Sequence, residues 1–246
     1  MKRLIAALLL TATPALSFDI NAMSDAEKAA FGEAVRDYLM ANPEVLVESI
    51  NVLEERRAAS EVENDLTLVA ANREAIFEDG HSWVGGNPEG DVTVVEFLDY
   101  RCSYCKRFND QIQGTVESDG NIRFIIKEFP ILGPDSEIAS RFAIAVKEVA
   151  GDEAYLKAHH ALMNLRGAPS PEALSQIADE IGVDIGQITN TMNTESVSAV
   201  LRDNRQLAER MGIMGTPTFV VGDTLLRGMP GDGLEPAVAA AREGNG

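Results

Sequence analysis

Val92-Thr93-Val94-Val95-Glu96-Phe97-Leu98-Asp99-Tyr100-Arg101-Cys102-Ser103-Tyr104-Cys105 reads as a strand that delivers two cysteines to the start of a helix. Residues 92–98 are apolar at nearly every position, the pattern of a strand buried on both faces in a parallel or mixed sheet. Residues 106–116 then alternate charged and apolar side chains with helical spacing. A strand running through Cys-x-x-Cys into a helix is a redox arrangement. Cys102 sits where free backbone N–H groups and the helix dipole favour a thiolate, the nucleophile of disulfide exchange. Cys105, one turn on, lies on the same face and can open a mixed disulfide formed at Cys102. Two plainer roles fit less well. A disulfide across so short a loop constrains little of the unfolded chain, and these are the only two cysteines, half of a structural zinc set.

The chain has 246 residues, 45% of them hydrophobic, enough for one large domain with an appendage and a full core. Its formal charge of −18 argues against nucleic acid and anionic membranes as partners. Lys2 and Arg3, an apolar run over 4–10 and Ala15-Leu16-Ser17 have the form of a cleaved signal peptide, residues 1–17. Removing two cations and no acid takes −18 to −20. No later segment reads as a membrane span. The mature protein is expected in the periplasm, where disulfides persist. A chain sent there with both its cysteines in one Cys-x-x-Cys uses them for chemistry.

Residues 18–79 read as a helical extension. Ser24-Asp25-Ala26-Glu27 matches a capping box, with Phe31, Val35, Tyr38 and Leu39 on one helical face. Asn42-Pro43 supplies a second start, Asn42 as N-cap. Residues 44–79 contain neither Gly nor Pro, and a continuous helix there would be about 50 Å long. Its stripes, Leu46, Ile50 and Leu53, then Leu66, Val69 and Ile76, need a partner. Either the segment folds back on its own domain, or it associates with further copies of the chain; the near-heptad steps favour a homo-oligomer, dimer or trimer.

From residue 80 onward the expected order is an edge strand at Trp83-Val84, the strand 92–98, the helix of the cysteine pair and a second central strand over 122–127. A helical stretch over about 135–211 follows, with four segments. His159 and His160 within it point about 100° apart and read as surface residues. Gly215-Thr216-Pro217 returns the chain to sheet, Thr218-Phe219-Val220-Val221 and Thr224-Leu225-Leu226 form a hairpin, and residues 234–242 a closing helix.

In that order, Phe97-Leu98-Asp99-Tyr100-Arg101-Cys102, Glu128-Phe129-Pro130-Ile131-Leu132-Gly133 and Gly215-Thr216-Pro217-Thr218-Phe219 resemble the signatures of DsbA-like thiol:disulfide oxidoreductases. The extension is similar to that of ScsC-like members, whose amino-terminal segments can oligomerise. The resemblance implies an α/β, thioredoxin-like fold over 80–246 with a helical domain inserted at about 135–211. It implies a redox-active Cys102–Cys105 disulfide with no cofactor and no metal, polypeptide substrates carrying cysteines, and a membrane redox partner. It further implies that Pro217 is cis and faces the pair, leaving the backbone of Thr216 to bind an extended substrate. Glu96 matches a buried acid that accepts the Cys105 proton; its plainer reading is a strand-edge carboxylate in water. Arg101, Lys106 and Arg107 either favour the thiolate or are simply solvated. The strongest oxidants of the family carry His before the second Cys. Tyr104 stands there, so a milder poise and an isomerase or reductase role are expected. The rival is a copper-binding protein of the same compartment, since a reduced Cys-x-x-Cys suits Cu(I); a holdase that needs neither sulfur is a third reading.

Overall fold

The computed structural model describes residues 23–244; the expected signal peptide lies outside them. The chain divides into two compact units, one up to Ala58 and one from Ala59.

In the first unit, α1 (Asp25–Ala41) opens on the expected capping box: the Ser24 hydroxyl accepts from the Glu27 backbone, and the Glu27 carboxylate accepts from Ser24 N–H at 2.8 Å. Asn42, expected to cap the next helix, serves the end of this one, its side-chain amide donating to the Tyr38 carbonyl at 2.9 Å. α2 (Glu44–Ala71) starts one residue after Pro43. No residue of α1 is buried, and Phe31, Val35, Tyr38, Leu46, Ile50 and Leu53 are all exposed.

The long helix does not run to residue 79. α2 stops at Ala71 because Asn72 turns back on it, both its backbone N–H and its side-chain amide donating to the Leu68 carbonyl. α3 (Arg73–Phe77) follows. The unit carrying the cysteine pair therefore begins well before the boundary expected at Asp79-Gly80: Val69, Ile76 and Phe77 are buried in a core with Val95, Phe97, Ile125 and Val220, and Asp65 makes a two-pronged ion pair with Arg227.

That unit is built on a five-stranded sheet, β1 (Trp83–Gly86), β2 (Val92–Leu98), β3 (Ile122–Glu128), β4 (Thr218–Val221) and β5 (Thr224–Arg227), in the order β1-β3-β2-β4-β5. β2 and β3 are parallel and the other pairs antiparallel. As the sequence implies, β2 is central and covered on both sides. Val92, Val94 and Leu98 face the larger core; Val95 and Phe97 face the smaller one under α3. Alternation continues through β3, so Ile126 and Glu128 share the larger-core face while Lys127 points the other way. There the Lys127 ammonium, fully buried, pairs with Asp79 at 2.5 Å.

α4 (Ser103–Asp119) crosses the larger-core face and ends at Gly120, whose φ of 70° is the left-handed conformation that a helix stop commonly needs. The helical insertion contains α5 (Pro134–Asn164), kinked at Gly151, then α6 (Pro171–Ile181), α7 (Ile185–Thr191) and α8 (Glu195–Arg210). α7, capped by Asp184, is too short to stand out in the periodicity. α9 (Glu235–Gly244) closes the chain. Among the described residues no helix is long and apolar enough to cross a membrane.

Candidate active site

The turn between β2 and α4 is held by one side chain. Asp99, fully buried, accepts hydrogen bonds from the backbone N–H of Arg101 at 2.7 Å, Ile131 at 2.8 Å and Leu132 at 3.0 Å. It ties the loop before the cysteines to the loop after β3. Cys102 is the N-cap of α4: its Sγ lies 3.4 Å from the Cys105 backbone N–H, in the place a Ser or Asp oxygen usually takes. On its other side Sγ is 3.1 Å from the Thr216 carbonyl oxygen. The Thr216–Pro217 bond is cis, and the Thr218 hydroxyl holds that loop by donating to the Gly215 carbonyl at 2.8 Å.

Both cysteines are free thiols. A hydrogen bond from the Cys105 thiol, with help from the N–H groups of Cys105 and Tyr104, holds the Cys102 pKa down to about 5 against the burial that opposes it. The same bond raises the Cys105 thiol far above its usual value, reinforced by full burial and the charge of Glu96. The two sulfurs thereby differ sharply in acidity, Cys102 being the one that ionises readily.

Glu96 is no strand-edge carboxylate in water. It is 3% exposed on the larger-core face, between Val94 and Leu98, and burial raises its pKa to about 8, assisted by Cys102 and Glu128. The cations around the pair have other work. Lys106 donates to the Leu162 and Leu165 carbonyls at the end of α5 at 3.2 and 2.6 Å, Arg101 donates to the Gly167 carbonyl, and Arg107 lies over the Phe108 ring. The Cys102 thiolate is supported by hydrogen bonds rather than by these charges. Cys102 is only 6% exposed, while the apolar side chains of Tyr104 between the cysteines, Leu132 in the loop after β3 and Met214 in the loop before Pro217 are exposed.

Beneath the pair lies a polar cluster that the sequence did not reveal. Glu128, 3% exposed at the end of β3, is hydrogen-bonded to the hydroxyls of Tyr100 at 2.8 Å and Tyr155 at 2.6 Å. His159, read from sequence as a surface residue, is 1% exposed. Its Nδ1 is 3.2 Å from the Tyr100 oxygen and its Nε2 is 3.0 Å from Asn109 Oδ1 on α4. The one available signal was that Asn109 follows Cys105 by a helical turn. Among the described residues no group of three or more His, Cys, Asp or Glu side chains is placed to hold a metal.

Residues 93–237 match the model of the DSBA-like thioredoxin domain, and residues 27–60 that of the copper resistance protein ScsC N-terminal domain. A thioredoxin-like oxidoreductase from Silicibacter pomeroyi has 42% identity and a TM-score of 0.65 over 70% of this chain and 98% of that one. Proteus mirabilis ScsC, in a transitional conformation, has 28% identity and a TM-score of 0.65 over 92% of this chain and all of that one (100%). The thiol:disulfide interchange protein DsbA of Burkholderia cepacia is 29% identical, covering 54% of this chain and 64% of that protein. The first curated relatives are Na(+)/H(+) antiporters of two Salinispora species, and the chain spans only 21% of their length.

Proposed function

Because the chain belongs to the DsbA-like thioredoxin-domain family, we propose that it exchanges disulfides with cysteine-bearing polypeptides in the periplasm, as a disulfide isomerase, reductase or mild oxidase. The observation that carries this reading is the unequal pair: Cys102, ionised near neutrality at a helix N-terminus and beside Thr216, with a protonated Cys105 one turn behind it. Cys102 attacks a substrate disulfide, forming a mixed disulfide and releasing one substrate thiolate. Cys105 then gives its proton to Glu96 in its carboxylate form and attacks Cys102 Sγ. The intramolecular disulfide forms, and the second substrate thiolate leaves. The substrate lies along Thr216, with the exposed side chains of Tyr104 and Met214 as apolar contacts. A membrane protein resets the pair.

A Cys102 pKa of about 5 lies between those of the reducing thioredoxins, about 7, and the strongly oxidising DsbA proteins, about 3.5. Equilibration with glutathione should therefore give a potential between roughly −270 and −120 mV. A value at the oxidising end would remove the isomerase and reductase roles and leave an oxidase.

The same proposal includes self-association through the first unit, since α1 buries none of its apolar residues. The match of residues 27–60 to a ScsC N-terminal domain supports it. Light scattering of the full chain should report two or three copies; a monomer at micromolar concentration would remove the oligomer and leave the exchange chemistry untouched.

A further inference from the structure

Glu96 and Glu128 stand on one face of the sheet as diagonal neighbours, since Leu98 is the register partner of Glu128 and Ile126 that of Glu96. Neither carboxyl is paired with a cation. Two such groups in a dry interior do not both ionise readily. What faces Glu128 from each packed element is known: Glu96 from β2, Tyr100 and Asp99 from the following loop, and Ser140, Tyr155 and His159 from α5, with His160 next along. From α8, Asn204 donates to its backbone carbonyl at 3.1 Å.

The hydrogen-bond chain from Glu128 to α4 can be read for its protons. A tyrosine hydroxyl has one proton to give, and a neutral imidazole one N–H; burial keeps His159 neutral, with its pKa lowered to about 3. If Glu128 is a carboxylate, Tyr100 must donate to it. His159 Nδ1 then donates to Tyr100, and a bare Nε2 faces Asn109 Oδ1, acceptor against acceptor. If Glu128 is a carboxylic acid, it donates to Tyr100, Tyr100 donates to His159 Nδ1, and Nε2–H donates to Asn109 Oδ1. Only the second arrangement satisfies each contact with Asn109 as it stands, its amide nitrogen donating to Asp110 at 3.1 Å. Glu128 Oε2 makes no hydrogen bond of normal geometry, and the Ser140 hydroxyl that faces Glu128 from α5 is likewise without one.

We propose that Glu128 is a positioning residue of the redox site, protonated at rest, whose ionisation reverses the hydrogen bonds through Tyr100 and His159 to Asn109 and raises the pH at which Glu96 sheds its own proton and so can accept that of Cys105. It touches neither sulfur. It acts on the pair through Glu96, by charge, and through α4, where Asn109 lies one turn after Cys105. Loss of the proton sends it to solvent, inverts the His159 tautomer and obliges the Asn109 amide to turn over, breaking its bond to Asp110. With Glu128 charged, Glu96 takes the Cys105 proton only at a higher pH. Burial places the Glu128 transition at a pKa of about 7, so the switch falls within the physiological range.

This inference rests on the exchange reading, and two measurements keep the failures apart. The first is the rate at which Cys105 resolves the mixed disulfide formed with oxidised glutathione, followed by rapid quench across pH. Glu128→Gln keeps an oxygen for both tyrosines and removes the charge; its midpoint for resolution should fall by about one pH unit relative to the unaltered protein. The second is the His159 tautomer, from imidazole nitrogen shifts: Nε2–H on the acid side of neutrality, Nδ1–H on the alkaline side, and no switch in Glu128→Gln. If that variant does not fold, Tyr100→Phe, which cuts the chain and leaves both carboxyls, should equally abolish the switch. An unaltered protein whose His159 keeps one tautomer throughout overturns the proposal. So does a Glu128→Gln variant that melts earlier yet resolves with an unchanged pH midpoint. Absence of mixed disulfide in the unaltered protein sinks the exchange reading instead, while the tautomer measurement still decides for or against Glu128.

Discussion

Replacing Cys105 with Ala should yield a protein that captures substrates and releases them far more slowly. Cys105 is fully buried and its proton is held tightly by the neighbouring sulfur, so its role comes after capture. Cys102 keeps its place at the helix N-cap with the backbone N–H of residue 105 still aimed at it, and remains a nucleophile, though it loses the largest of the influences lowering its pKa. A thiol held one turn away acts at a far higher effective concentration than any thiol in solution. Without it, breakdown of the mixed disulfide should slow by at least about a hundredfold. Covalent adducts should accumulate on nonreducing gels and vanish when Cys102→Ser is added. A metal carrier or a holdase would show no adducts in either variant.

How far this chemistry was legible in the sequence follows from the distances over which its parts are joined. The strand 92–98, the helix after Cys102 and the hairpin after Pro217 carry local signals, periodicity and turn residues, and the structure has all three. Asp99 and the cis Thr216–Pro217 bond sit inside short motifs. The cluster beneath the pair has no such motif: Glu128 lies 28 residues from Tyr100, and His159 lies 59 from Tyr100 and 50 from Asn109. His159 reads as a surface residue because its neighbour is also His and the helix has no clean apolar stripe there. Only packing of α5 over the sheet buries it. Lys106 carries a charge that could favour the thiolate or simply stand in water, and does neither: its flexible stem reaches the Leu165 carbonyl at the end of α5. Asn42 bears a start signal and acts as a stop, since its amide meets the Tyr38 carbonyl first. The boundary at Asp79-Gly80 follows the end of helical periodicity, whereas Val69, Ile76 and Phe77 belong to the sheet's core.

The second large effect is thermodynamic. In the unfolded chain Cys102 ionises near the ordinary value of 9.0, and in the folded dithiol protein near 5. A depressed folded pKa adds stability in full above the unfolded value and loses it as pH falls towards the folded one. Between pH 9 and 5 the reduced protein should therefore lose up to about 1.4 kcal/mol of stability per pH unit relative to the oxidised protein, which has no thiolate. Opposing this, closing the short loop between the cysteines stabilises the oxidised form by about 2 kcal/mol. The two forms should exchange rank at roughly pH 6 to 7: oxidised more resistant to denaturant below, reduced more resistant above. A reduced form that is the weaker at every pH would mean that the thiolate gains nothing from the fold.

Underlying both effects is the ionisation of one sulfur, and it can be measured directly. The rate at which iodoacetamide alkylates Cys102 should be followed against pH in the intact dithiol protein, because the Cys105 thiol is the largest influence on it. The expected profile has its midpoint near pH 5, with Cys102 already fully reactive at neutrality; a midpoint near 9, the value of an unassisted thiol, would contradict the account.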